Sequence, residues 1–337
     1  MTRTHRPRHG LALLGSVLTL GLLVSACGGN LDSGSSDEAA EFPGGDPITI
    51  YVGQDPGGST DLIARALAEE VKNELDVAVT VENKPGANGA LAAQELAGKK
   101  ADGHTLMVYN GSLAYITPLA VPEGEAPDIA DYEIVTGISQ DDYVLVSAAD
   151  SDLKTVEDLE KLGRPVKFGT TGVGTGSQLS QELLFAQSGI EATAVPFDGG
   201  SPTLTAVLGG QVDVGSIQLG EAVEQIESGD LNPIVTFAAE RVSYLSDTPT
   251  AVEAGYDVPV QQSRAVFAPK GTPADVIDTL AGAFGTAFQA ENYQKFNTDN
   301  QLTPNEIDGE ALRKQWTDNL ASYRAVTEKH QIDLGGE

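Results

Sequence analysis

The chain has 337 residues, with 49 acidic against 20 basic side chains and a formal charge of −29. Such an excess of acid argues against nucleic acid and against a polybasic contact with lipid headgroups. A single cysteine excludes an internal disulfide framework.

The first ten residues carry Arg3, Arg6 and Arg8 and no acid. An apolar run of about 14 residues, Leu11 to Val24, follows; a bilayer span needs roughly 20. Small residues Ser25 and Ala26 then lead to Cys27, so residues 1–26 read as an export signal. Their loss would remove three arginines and take the charge from −29 to −32. Val24-Ser25-Ala26-Cys27 resembles a bacterial lipobox, which implies lipid on Cys27 and an anchor on the outer membrane face. Residues 27–45 are rich in Ser, Gly, Asp and Glu and read as a flexible tether. The remaining length suits two domains.

From residue 46 onward, strand-like and helix-like segments alternate. Ile48–Val52 reads as a strand, and Thr60–Leu75 has helical spacing with Leu62, Ile63, Ala66, Leu67 and Val71 on one face. Val77–Val81 is a second strand, Pro85–Gly89 a turn, and Thr105–Tyr109 a third strand after a short Ala-rich helix. Two extended runs follow, Glu133–Ile138 and Tyr143–Ala148. A helix near Thr155–Leu162 comes next, with Thr155 and Asp158 as its capping box. Strands are expected at 166–170, 192–197, 212–217, 234–238 and 262–268, with helices at 178–187 and 221–227. Ser201-Pro202 is expected to open a helix, with Ser201 as N-cap. Helical segments start at Thr272-Pro273, and the last helix spans 309–330. This order predicts an α/β protein with parallel sheet and covering helices. It divides into a first lobe of residues 46–140 plus 263–337 and a second of residues 141–262.

Two loops could carry chemistry. Asp55-Pro56-Gly57-Gly58-Ser59-Thr60-Asp61 follows a strand and opens a helix. Its glycines allow close backbone approach, and the free N–H groups at the helix start favour an anion. An ordinary turn with Ser59 or Thr60 as N-cap gives the same pattern, and both readings stand. Gly169-Thr170-Thr171-Gly172-Val173-Gly174-Thr175-Gly176-Ser177 has the same context, with more glycine and hydroxyl than a turn needs. It fits neither dinucleotide nor P-loop patterns and has no lysine; a carboxylate cradle built of N–H groups suits it better. Facing each other across a cleft, the two loops would form one binding site. Any anion must be held locally, because the long-range field is screened beyond roughly 8 Å at physiological salt.

Catalytic and metal-binding patterns are missing. His5 and His9 lie in the signal, His104 and His330 are far apart, and there is no H-E-x-x-H, Cys/His cluster or G-x-S-x-G elbow. A lipid-anchored hydrolase and a purely structural surface protein are the competing classes. The first lacks an assembled nucleophile and base; the second has no need of the two loops.

Several motifs, in order, resemble the substrate-binding (Bug) receptors of tripartite tricarboxylate transporters. They are Pro56–Asp61 with Ala64-Arg65, Val79–Gly89, Asp102–Leu106, Gly172–Ser177, Val195–Gly200, Leu208–Asp213, Glu253–Tyr256 and Ala268–Pro273. The resemblance runs from about Ile48 to the C-terminus. It implies a two-lobed periplasmic-binding-protein fold of type II-like form, with the ligand cleft between lobes closing as a hinged clamp. It also implies a monomer without cofactor, metal or catalysis, which loads a small organic carboxylate and docks on a two-component membrane permease; a receptor serving another importer or a sensor is the alternative that the sequence leaves open. One half of the site would be Gly57, Gly58, Ser59, Thr60 and Asp61; the other would be Thr170, Thr171, Gly172, Val173, Gly174 and Thr175. Asn110 and Ser112 would line the cleft. The chain departs from the family at His104, in place of a tyrosine, and at Asp198, where many relatives carry lysine. Asp198 could meet an amino or hydroxyl group of the ligand, or cap the following turn. Arg65, one turn into its helix, reads as a structural ion-pair partner.

Overall fold

The structure is a computed structural model that describes residues 42–335. The proposed signal, Cys27 and nearly all of the tether lie outside the described residues. Phe42, the first described residue, packs on the His104 ring with centroids 5.1 Å apart, a structural role for both.

The chain opens with β1 (Ile48–Val52), α1 (Ser59–Leu75), β2 (Val79–Asn83), α2 (Ala90–Ala97) and β3 (Thr105–Asn110). β1 pairs parallel with both β2 and β3. β1 and β3 are covered on both faces, so they alternate between two cores and not between core and water, while β2 exposes Thr80 and Glu82. Ile48, Ile50, Val52, Leu106 and Val108 pack under α1, while Tyr51, Met107 and Tyr109 face the opposite core. Two short helices, α3 (Ser112–Tyr115) and α4 (Thr117–Ala120), follow β3. Neither was legible in the sequence, since four-residue helices carry no periodicity.

β4 (Tyr132–Ala148) is one strand of 17 residues where two separate runs were expected. Ser139-Gln140-Asp141-Asp142 reads as a polar break, yet the strand continues because these side chains find partners inside the protein. Asp141 accepts from Ser139 Oγ at 2.7 Å and from the Thr303 N–H at 3.0 Å, and it pairs with Arg264. The register against the neighbouring strand slips between Ile134 and Thr136 and between Gly137 and Ser139.

The next elements are α5 (Val156–Glu160), β5 (Val166–Thr170), α6 (Gly176–Ser188), β6 (Ala192–Pro196), α7 (Gly200–Leu208), β7 (Val214–Gln218), α8 (Leu219–Ser228) and β8 (Leu231–Thr236). The predicted Thr155–Asp158 capping box closes the start of α5. Ser201 is not the N-cap of α7. Gly199 takes that position at φ 112°, leaving Ser201 and Pro202 in the first turn. There the N–H that proline lacks would have no intrahelical partner. β5 pairs parallel with β6 and β7.

The chain then returns through β9 (Gln261–Pro269) and closes with α9 (Ala274–Gln289), α10 (Glu291–Asp299) and α11 (Gly309–His330). Strand order is β2-β1-β3-β9-β4-β7-β5-β6, with β8 also on β4. β4 is thus shared: residues 132–142 pair with β9 and residues 143–148 with β7 and β8. From α11, Trp316 stacks on Phe267 at 5.5 Å and donates through Nε1 to Ser263 Oγ at 3.0 Å. Beyond α11, the Leu334 carbonyl accepts from Gln178 of α6.

Candidate functional site

The carboxyl ends of β1, β3, β5 and β7 converge on one cavity of about 170 Å³. Crevices outside the carboxyl ends of parallel strands are the usual ligand sites of α/β sheets. The wall is built from the β1–α1, β5–α6 and β6–α7 loops, the end of β3, and side chains from β4, β7, α8 and β9.

At the β1–α1 loop, Gly58 is the N-cap of α1, so Ser59 and Thr60 lie within the first turn. Their hydroxyls are therefore free to bond sideways. Thr60 Oγ1 donates to Asn110 Oδ1 at 3.1 Å and accepts from Arg264 Nε at 3.1 Å. Ser59 Oγ accepts from Arg264 Nη2 at 2.6 Å. The same guanidinium pairs with Asp141, so an arginine on β9 locks α1 to β4. Burial pushes the Asp141 carboxyl upward, and the Arg264 charge offsets part of that. Asp61 faces away from the cavity. Burial would raise its carboxyl, but hydrogen bonds from Arg65, the Gly57 N–H and Asn83 together hold it below the usual carboxylate range. Arg65 is thus a structural ion-pair partner, as its position suggested.

In the β5–α6 loop, Thr175 is the N-cap of α6 and donates its hydroxyl to the Gly172 carbonyl at 2.7 Å. The Gly174 N–H donates to Gln178 Oε1, and the Gly174 carbonyl accepts from Thr117 Oγ1 at 3.1 Å. Gly174 sits at φ +71°, and a Cβ there would lie 3.0 Å from Thr117 Cα. Only glycine lets this loop press so closely on α4.

On the opposite wall, the Ser59 N–H donates to Glu221 Oε1 at 2.9 Å. The Glu221 carboxylate also lies against the start of α7, where a Cβ at Gly200 would fall 1.4 Å from Oε2. It sits between two positive helix ends. Glu221 Oε2 and both ends of the Gln218 amide are buried without a hydrogen-bond partner.

Of the residues singled out from the sequence, Gly58, Ser59, Thr60, Asn110, Ser112, Thr171, Thr175 and Asp198 line this cavity. Gly57, Asp61, Thr170, Gly172, Val173 and Gly174 lie behind the wall or beside it. Gly172 and Val173 line a neighbouring groove that Asp198 also borders, and Thr170 is buried, donating to the Gly172 carbonyl. Sequence reasoning missed Arg264, Glu221, Gln218, Gln262, Tyr143, Gln54 and Asn88. Among the described residues, no group of three or more His, Cys, Asp or Glu is placed to hold a metal ion, and no helix is long and apolar enough to cross a membrane.

The family model described as the tripartite tricarboxylate transporter family receptor matches residues 63–332. A UPF0065 protein from the ttuE–ttuC′ intergenic region of Agrobacterium vitis is 33% identical over 248 residues, covering 72% of this chain and 71% of that one. BugT of Bordetella pertussis is 31% identical over 255 residues, covering 73% and 77%. Among solved structures, MatC of Rhodopseudomonas palustris, with bound malate, superposes with a TM-score of 0.78 at 27% identity, covering 83% of this chain and 98% of that one. The chain belongs to the tripartite tricarboxylate transporter receptor family, as a solute-binding receptor with the α/β fold of the periplasmic binding proteins.

Proposed function

We propose that this chain captures a small organic carboxylate outside the cell and delivers it to a two-component membrane permease, while a lipid on Cys27 holds it at the membrane. The two lobes, residues 46–140 with 263–337 and residues 141–262, would close over the acid. The observation that carries this reading is the convergence of Ser59, Thr60, Asn110, Ser112, Thr171 and Thr175 on one cavity beside the buried Arg264 guanidinium. Hydroxyl and amide donors with a guanidinium nearby are the groups that bind a carboxylate. Malate bound to MatC supports the ligand class. A volume of about 170 Å³ is below the roughly 300–1,000 Å³ of pockets for drug-sized molecules and suits a small metabolite. Action by binding rather than by turnover is supported by the match to a family of transporter receptors.

The test is a thermal melt of the full-length chain in mild detergent against carboxylic acids and their amides. A ligand at 100 times its Kd stabilises by about 2.7 kcal/mol, a shift of several degrees. A shift with an acid and none with its amide supports the reading. No shift across the panel overturns it.

A further inference from the structure

We propose that the ligand carries an ammonium group beside its carboxylate, so that the cavity takes an amino acid and not a simple di- or tricarboxylate. This rests on the carboxylate-site reading above and narrows it. The cavity wall holds three acidic side chains, Asp55, Asp198 and Glu221, against one basic side chain, Arg264. Arg264 is already matched by Asp141, with both side chains almost wholly buried. A single ligand carboxylate can rest on the hydroxyls and amides beside Arg264. A second one would find no further cation, only the three acids and uncharged polar groups.

Glu221 decides the matter more than the two acids at the exposed mouth, whose charge is open to screening. Its carboxylate already occupies the space between the starts of α1 and α7, through Ser59 N–H and against Gly200. An anion from outside would have to displace it. Its Oε2 has no donor, and the Gln218 amide, on a side chain 4% exposed in the same wall, has neither a donor at its oxygen nor an acceptor at its nitrogen. The two acceptors ask for a donor from the ligand, and the amide nitrogen asks for an acceptor such as its carboxylate. An ammonium group supplies up to three N–H donors and the missing positive charge together.

The test is titration calorimetry on the full-length chain in mild detergent with matched pairs: aspartate and succinate, glutamate and glutarate, alanine and propionate. The expected result is a pair whose amino member binds at least tenfold more tightly, with Glu221→Gln narrowing that gap below threefold. Asp198→Asn, which leaves the Ser59 contact untouched, should narrow it in the same direction by a smaller factor. If the deaminated acid binds as tightly in every pair that binds, this inference falls and the carboxylate reading stands. An amino preference that survives both substitutions also overturns it. If no member of any pair binds, both readings fall.

Discussion

Arg264 and Asp141 lie 123 residues apart in sequence and form an ion pair with 2% and 0% of their side chains exposed. Breaking a buried pair on one side leaves an uncompensated charge and costs about 3–5 kcal/mol. Arg264→Met should lose that much in urea denaturation. Adding Asp141→Leu should recover most of it, because the orphaned acid is then gone. If the single variant is as stable as the parent, the pair is not the lock that joins α1, β4 and β9.

Glu182 on α6 gives the fold a pH dependence. Burial, reinforced by Asp333, lifts its carboxyl to about 7 from an ordinary 4.5. The folded protein therefore holds this proton more tightly than the unfolded chain does. The contribution is fully present below pH 4.5 and is lost as pH rises through 7. Allowing for partial solvent screening, it amounts to roughly 2 kcal/mol. Glu182→Gln should raise the melting midpoint by about 4 °C at pH 8 and leave it unchanged at pH 4.5. Parallel melting curves across that range would contradict this.

Gly174 tests the proposed clamp. A leucine there must hold a left-handed backbone, at roughly 1–2 kcal/mol, and push the β5–α6 loop off Thr117. The expected outcome is a melt a few degrees lower and at least tenfold weaker binding of whichever acid the panel identifies. Equal affinity would show that the loop need not touch α4 for the site to work.

Thr155→Ala removes the hydroxyl that accepts from the Asp158 N–H at the start of α5. A lost N-cap costs about 1 kcal/mol. A chemical-denaturation midpoint that does not move would mean α5 is held by packing alone.

Cys27→Ala should move the protein from the membrane fraction to the medium after export. Retention at the membrane would remove the lipid anchor from the reading.

The loops were legible in the sequence because their chemistry is local. Glycines and hydroxyls cluster within nine residues between a strand and a helix, and Ser59, Thr60, Thr171 and Thr175 reach the cavity. Asp141 was hidden because two adjacent acids between apolar runs read as a break. A buried charge is affordable only with its partner, and that partner lies on β9. Arg264 left a faint signal: it is the one charge in an otherwise uncharged nine-residue strand. Glu221 left none. A glutamate in the first turn of a helix is ordinary, and only the folded chain brings it to Ser59 across 162 residues. The N-cap of α7 was misplaced because Ser-Pro is a strong start signal, while Gly199, two residues before Ser201, takes that position.

β4 carries a mechanical consequence. It is a single ribbon stitched to β9 on one stretch and to β7 and β8 on the next. Any swing of one half against the other must wring this ribbon about its long axis. The ladder against β9 slips twice along this ribbon, the second time between Gly137 and Ser139, two residues before Asp141. Ser139, at that slip, lies opposite Arg264 in the register. A solute resting beside Arg264, which is tied to this ribbon through Asp141, would press on the strand that such a swing has to twist, with no lever needed between them.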